Sequence, residues 1–377
     1  MGDDHPWLYF SMSRTRSQRG VTILIDLTEW GWNLDWESKY RRQTETGEAA
    51  RVIATYQGMF RIIGQDGEGW AEISGRFRHD EQTDWPVTGD FVVIKPGSRS
   101  IIITVLERAS ALTRKAAGRA FEHQTVAANV DTTFVMQSMD HDFNLRRLER
   151  YLTMVWQGKS QPVVLLTKSD VAMDPGPWIK SVQDMAPRVA VHAVSSLTGD
   201  GLDQLEPYLR PGVTVALVGS SSVGKSTLLN RISQGAGQRT QETRERDQRG
   251  RHTTTHRELF LTPERALIID TPGMRELHLV EAGSGLDQTF QDVGEWLGQC
   301  RYRDCHHHGE PGCMVQQALD SGDLDPSRWE AYCKLQREVE HVERRDDPKA
   351  QSAMRDHWKK VSKAGRQNRQ FKEGRYR

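Results

Sequence analysis

The sequence predicts a multidomain α/β protein: a small N-terminal β-barrel, a doubly wound, mostly parallel sheet, and a C-terminal helical unit. Three observations predict it. Runs of β-branched and aromatic residues broken by Gly fill residues 50–112, strand and helix patterns alternate through 113–284, and three of four cysteines fall between Cys300 and Cys313. The 377 residues exceed the roughly 250 at which a single core stops growing, so several modules are expected.

Lys plus Arg and Asp plus Glu each total 51, which leaves no formal net charge. The average therefore says nothing about a polyanionic partner; the distribution does, because residues 355–377 are densely basic against only Asp356 and Glu373. Solvated disorder is the alternative reading of that tail. No apolar run approaches the roughly 18 residues of a membrane span, and the N-terminus lacks the apolar core of a signal peptide. A cytoplasmic protein without membrane contact is expected, and nothing in the sequence calls for more than a monomer. In a reducing compartment, clustered cysteines suit a metal better than a disulfide framework.

Residues 1–49 are Trp-rich (Trp7, Trp30, Trp32, Trp36) and end in the polar stretch RRQTETGEAA, read as an extension and linker. In residues 50–112, RVIATYQGMFRII, GWAEISGRF, DFVVI and SIIITVLE read as strands of a small barrel whose size suits an oligonucleotide-binding (OB) fold. Within 113–284, TTFVMQS, PVVLLT, RVAVHAVS and GVTVALVG read as strands. NLRRLERYLTMVW and the segment from Gly224 read as helices. This βαβ rhythm implies a parallel sheet covered on both faces. Residues 285–347 turn helical around the cysteines and include RWEAYCKLQREVEHVERR; residues 348–377 form the basic tail.

GSSSVGKS fits G-x4-G-K-[ST] and lies between a predicted strand and a predicted helix. Gly219, Ser220, Ser221, Ser222, Val223 and Gly224 would turn backbone N–H groups toward phosphate oxygens at a helix N-terminus, with Thr227 in its first turn. Lys225 would reach the β and γ phosphates, and the Ser226 hydroxyl would bind Mg²⁺. Downstream, LIIDTPG ends an apolar strand in Asp270, placed to hold Mg²⁺ through water, and Gly273 can offer its N–H to the γ-phosphate. Between them, RGRHTTTH offers a Thr to close over Mg²⁺; spacing favours Thr254, with Thr253 and Thr255 beside it.

The base is named by LLTKSD. A carboxylate at Asp170 accepts both N1–H and the 2-amino group of guanine, which adenine lacks, so GTP and GDP are the expected ligands. Thr167 stands where an Asn usually ties loops together, followed by Lys168. AVSSLTGDGL places Ser195 and Ser196 after a strand, as a second base loop. Both base loops precede the phosphate loop. A compact domain accepts this order if its original ends lie close together and new ends are cut at an exposed loop, which is a circular permutation.

Cys300-x4-Cys305, the histidines His306, His307 and His308, and Cys313 supply three thiolates and an imidazole, a closed set of the structural zinc kind. Spacing leaves the choice of histidine open. Cys333, far down a helix, reads as a packed residue.

The ordered series LTEWGWN, RKAAG, AANVDTTFVMQSMDHDFNLRRLERYL, TKSD, SSLTGDGL, GSSSVGKST, GRHTTTH, DTPGMRE and CRYRDCHHHGEPGC resembles the ribosome small subunit-dependent GTPase A family, circularly permuted GTPases that act on the small ribosomal subunit. The likeness runs from about residue 27 to about residue 337. It implies an OB barrel, a permuted GTPase and a C-terminal domain with one structural Zn²⁺ held by Cys300, Cys305, His307 and Cys313. It also implies action in late maturation of the small subunit, with 16S rRNA as partner. The departures are Thr167 for Asn, which the family sometimes allows, and the first two dozen residues, which match no part of the family pattern.

Met274 occupies the place where small GTPases carry a Gln that orients attacking water. Hydrolysis is therefore expected to be slow until the ribosomal subunit supplies what is missing. His252 is the water-positioning residue favoured by location, against a phosphate- or RNA-facing surface role. Competing readings are a metabolic P-loop ATPase or kinase, an RNA-binding assembly protein with a structural nucleotide, and a GTPase switch with a protein effector.

Overall fold

The computed structural model describes residues 25–56, 58–75, 85–115, 123–220, 222–233, 257–270 and 283–346. Five strands form the N-terminal barrel: β1 (Glu48–Thr55), β2 (Phe60–Gly64), β3 (Gly67–Ile73), β4 (Phe91–Lys95) and β5 (Ser100–Val105). Their order is β1-β2-β3-β5-β4, and β4 returns to pair with β1, which closes the barrel. Only β3 and β5 run parallel. Alternation fills the interior: Ala50, Val52, Phe60, Ile62, Val92, Ile94 and Ile102 face one another inside.

The Trp-rich entry segment is part of this unit. Helix α1 (Leu34–Arg41) is capped by the Asn33 side chain, which accepts from the N–H groups of Asp35 and Trp36. It buries Trp36 against Phe91, with Trp32 edge-on to the same ring. Strand β1 begins inside the stretch read as polar linker.

Between barrel and central domain lies a hairpin that the sequence pattern does not announce, β6 (Ala111–Lys115) paired with β7 (His123–Ala128). Ala111 N–H donates to Gly158 O at 2.9 Å, docking the hairpin on the central domain.

The central strands are β8 (Thr132–Ser138), β9 (Gln161–Thr167), β10 (Ala190–Val194), β11 (Thr214–Gly219), β12 (Arg257–Leu261) and β13 (Leu267–Asp270). The sheet runs β10-β9-β8-β11-β13-β12, parallel throughout except for β12. Every residue of β8 and β11 is buried, as a strand covered on both faces requires. Phe134, Met136, Val215 and Leu217 enter one core, while Val135, Ala216 and Val218 enter the other. Helices α2 (Leu145–Gln157), α3 (Gly176–Met185) and α4 (Lys225–Ile232) cover the faces. The phosphate-loop strand β11 sits mid-sheet, and the three strands before it in the chain lie together on one side. This is the permuted arrangement.

The barrel does not hang from a linker. Strand β1 pairs antiparallel with β12 through Ala54–Glu258 and Thr55–Arg257, so one sheet of eleven strands spans both units. Ile53 and Ile63 turn outward from the barrel into the central core. The C-terminal helices α5 (Gly283–Thr289), α6 (Gln291–Gly294), α7 (Met314–Ser321) and α8 (Pro326–Asp346) extend that core with Phe290, Val315, Tyr332 and Leu335. Among the described residues, no helix is long and apolar enough to cross a membrane.

Candidate nucleotide site and metal centre

Strands β8, β9, β10, β11 and β13 are parallel, so the loops after them line one edge of the sheet, where open α/β sheets bind ligands. The phosphate loop starts at Gly219, which pairs with Met136 and has φ +154; a Cβ there would lie 2.5 Å from Met136 O. Gly224, at φ +96, caps α4 without a side-chain bond, so the N-terminus of the helix opens directly onto the loop. Lys225 Nζ donates to Gly219 O at 2.7 Å and Ser220 O at 2.5 Å, which arches the loop around its ammonium. Ser226 and Thr227 are exposed in the first turn, and Ser222 adopts φ +67.

The base loop joins this arch directly. Thr167, 2% exposed, donates its hydroxyl to Val223 O at 2.6 Å, with Gln137 O at 3.3 Å as the weaker acceptor. The short hydroxyl thus makes the loop-to-loop tie that an Asn amide would supply. Asp170 is aimed by Ser195, whose buried hydroxyl donates to Asp170 Oδ1 at 2.5 Å and accepts from Thr198 N–H. Ser196 follows, half-buried, in the turn that leads to Gly201. The Ser195–Asp170 bond joins the loops that follow β9 and β10, the two expected from sequence to meet the base.

Two carboxylates to which the sequence reading gives no role complete the edge. Asp140 accepts from Lys168 Nζ at 2.9 Å, and Asp142 accepts from the Ser220 hydroxyl at 2.6 Å. Burial tends to raise the Asp140 carboxyl, but bonds from Lys168, the Asp142 N–H and Ser138 outweigh it and hold the pKa at about 2. The Ser220 bond, and then Arg147, keep Asp142 below the usual carboxylate range. Their signal in sequence is the Asp-x-Asp that follows a buried strand, inside the resembling stretch AANVDTTFVMQSMDHDFNLRRLERYL.

Asp270 ends β13 beside β11, in register with Glu258. Ser221, His252, Thr253, Thr254, Thr255, Gly273 and Met274, assigned from sequence, lie outside the described residues, as does the basic tail.

The candidate metal centre is a loop between α6 and α7. One donor atom each from Cys300, Cys305, His307 and Cys313 lies within 4.8 Å of every other. A tetrahedral ion with bonds of about 2.3 Å to sulfur places thiolates about 3.8 Å apart. Cys300 Sγ and Cys313 Sγ are 4.0 Å apart, and each lies 3.5 Å from His307 Nδ1. The four donors fit a closed, four-coordinate structural ion. The left-handed φ of His307, +59, sets it apart from exposed His306 and His308, whose backbone N–H groups bond Glu310. Cys313 also caps α7 by accepting from Gln316 N–H. Cys333 stands on α8, outside the set.

A phosphate loop in mid-sheet, base loops that precede it in the chain, and an appended barrel and metal loop define a circularly permuted P-loop GTPase. A family model described as RsgA GTPase matches residues 105–280. The small ribosomal subunit biogenesis GTPase RsgA of Opitutus terrae is 41% identical, covering 93% of this chain and 100% of its own. A second relative, small ribosomal subunit biogenesis GTPase RsgA 1 of Oceanobacillus iheyensis, is 39% identical over 85% of this chain and 93% of its own. Among solved structures, YjeQ from Thermotoga maritima superposes with TM-score 0.59 at 24% identity, covering 78% of this chain and 98% of that one. YloQ, a circularly permuted GTPase, gives 0.56 at 26% identity over 80% and 97%. The chain belongs to the RsgA GTPase family, and it hydrolyses GTP.

Proposed function

We propose that this GTPase acts in late maturation of the small ribosomal subunit and that the subunit stimulates its hydrolysis. The relatives named for small ribosomal subunit biogenesis support the partner. The observation that carries the coupling is the place of β12. It starts at Arg257, directly after RGRHTTTH, and pairs on one side with β13, which ends in Asp270, and on the other with barrel strand β1. Whatever γ-phosphate orders in that stretch is thereby joined to the barrel by backbone hydrogen bonds.

In this reading Asp170, aimed by Ser195, selects guanine; Lys225 and the N–H groups of the loop hold the phosphates. Ser226, Thr254 and Asp270 would hold Mg²⁺, which would neutralise charge on the β and γ oxygens. Gly273 would meet the γ-phosphate, and His252 would position water in place of the Gln that Met274 displaces. The metal loop would carry one structural Zn²⁺. The barrel and the C-terminal unit would grip 16S rRNA, with the basic tail adding salt-dependent phosphate contacts. The protein works as a cytoplasmic monomer.

The deciding measurement is GTP turnover by the zinc-loaded protein, alone, with small subunits, and with large subunits as control. A rise with small subunits alone is expected; a flat response to every ribosomal fraction with GTP still bound would move the activator to a protein effector. Competition by ADP as strong as that by GDP would return the site to an ATPase or kinase. His252→Ala is expected to lower the stimulated rate with little change in GTP affinity. Deleting residues 355–377 is expected to reduce both subunit affinity and its salt slope.

A further inference from the structure

We propose that Asp140 and Asp142 form a carboxylate latch that fixes the spacing between the base loop and the phosphate loop, and so sets how long a guanine nucleotide stays bound. The inference rests on reading this edge as the nucleotide site.

Residues 139–142 follow β8, whose last residues lie between β9 and β11. Its geometry is closed from both ends. Gln137 accepts from Asn144 N–H and donates to Asn144 O, both at 2.8 Å, and the Asn144 side chain caps α2 through Arg147 N–H at 3.0 Å. Within this frame Asp140 Oδ1 accepts from Ser138 Oγ at 2.8 Å and from Asp142 N–H at 2.9 Å. The outer oxygen of Asp140 holds Lys168, next to Thr167 in the base loop. Asp142 is braced by Arg147, whose guanidinium lies 2.9 Å from Oδ2, and the same oxygen takes the Ser220 hydroxyl of the phosphate loop. The result is an unbroken chain from Lys168 through Asp140 and Asp142 to Ser220.

A latch is needed because of what stands at position 167. An Asn there would present two N–H donors and a carbonyl; a Thr hydroxyl has one proton, and here it goes to Val223 O. One neutral bond of this kind contributes little, whereas bonds to charged groups are about twice as strong. The two carboxylates thus restore, by charge, the cohesion that the shorter side chain gives up. Both are positioning residues: they act through Lys168 of the base loop and Ser220 of the phosphate loop.

The test uses the full chain and N-methylanthraniloyl-GDP, with release followed by stopped-flow fluorescence. Asp142→Ala and Asp140→Ala are each expected to speed release about tenfold. Adding Thr167→Asn to Asp142→Ala is expected to bring release back to within about threefold of the wild type, because the amide supplies the missing tie. A merely structural defect would not respond to a change at position 167. Unchanged release in both single variants, or faster release that Thr167→Asn leaves untouched, overturns the latch while the site reading stands. Failure of the wild type to bind the probe overturns the site reading itself. If the Ala variants do not fold, Asp142→Asn with and without Thr167→Asn gives the same comparison with the side-chain volume kept.

Discussion

Arg51 of barrel strand β1 donates from Nη2 to the Thr214 hydroxyl at 2.9 Å, and Thr214 opens the strand that ends in the phosphate loop. The guanidinium is 1% exposed, lies on the face of Phe91, and also serves the carbonyls of Trp30, Gly89 and Asn129. Burial lowers its pKa to about 10 against the pull of Asp131 and Asp90. Entry segment, barrel and central sheet therefore share one cation. Arg51→Met would take the guanidinium from the Trp30 and Asn129 carbonyls and the Thr214 hydroxyl, leaving Gly89 O with the Asn129 side-chain amide, and a loss of about 3 kcal/mol is expected. Chemical denaturation checks it; an unchanged midpoint would mean the three parts hold together without Arg51.

A second buried arginine seals the other end. Arg328 of α8 bonds Glu149 of α2 at 2.6 Å, Asp292 at 2.8 Å and Thr289 O at 2.6 Å, over the ring of Phe290. Removing it strands Glu149, which is 1% exposed, with only Arg146 beside it. Arg328→Leu is expected to cost about 3–5 kcal/mol, and Arg328→Leu with Glu149→Gln distinctly less. Equal losses in the two variants would show that the pair is not coupled.

The proposed reading puts base choice on Asp170. Asn at this position keeps one acceptor but turns the other into a donor, which suits the C2 carbonyl of xanthine and opposes the 2-amino group of guanine. Asp170→Asn is expected to weaken GTP by about 100-fold or more while XTP binding rises. Competition titrations would settle it, and retained GTP preference would remove Asp170 from base recognition.

Metal removal has a local optical reporter. His307 lies edge-on to Trp329, 5.7 Å between ring centres, and Trp329 stacks on Tyr332. One zinc per chain is expected by elemental analysis. Chelation under mild denaturant should change an emission component that Trp329→Phe abolishes, and Cys313→Ser should lose both metal and signal. Full zinc retention by Cys313→Ser would contradict the four-ligand set.

Legibility in the sequence followed how local each feature is. The phosphate loop, base loops and cysteine spacing are short motifs flanked by clear strand or helix periodicity, and β8, β9 and β11 read almost to the residue. Spacing alone did not choose among three adjacent histidines, because the choice depends on the backbone turning left-handed at His307. The β6–β7 hairpin carries no strong alternation. Arg51 sits in RVIAT, where a charged residue reads as a solvated face. Its burial follows from partners as distant as Thr214. Asp140 and Asp142 look like turn formers until the loops they bridge are folded beside them. The β1–β12 pairing joins Thr55 to Arg257, a contact that no local pattern encodes.

That pairing also governs how the molecule behaves when it is cut. Strand β12 is an inner strand only because β1 lies against it; without the barrel, its outward N–H and C=O groups near Arg257 and Glu258 become a bare sheet border. Such a border recruits strands from other copies. By covering that border the barrel guards the permuted domain against self-association, and proteolytic release of the barrel is expected to yield oligomers rather than a working core.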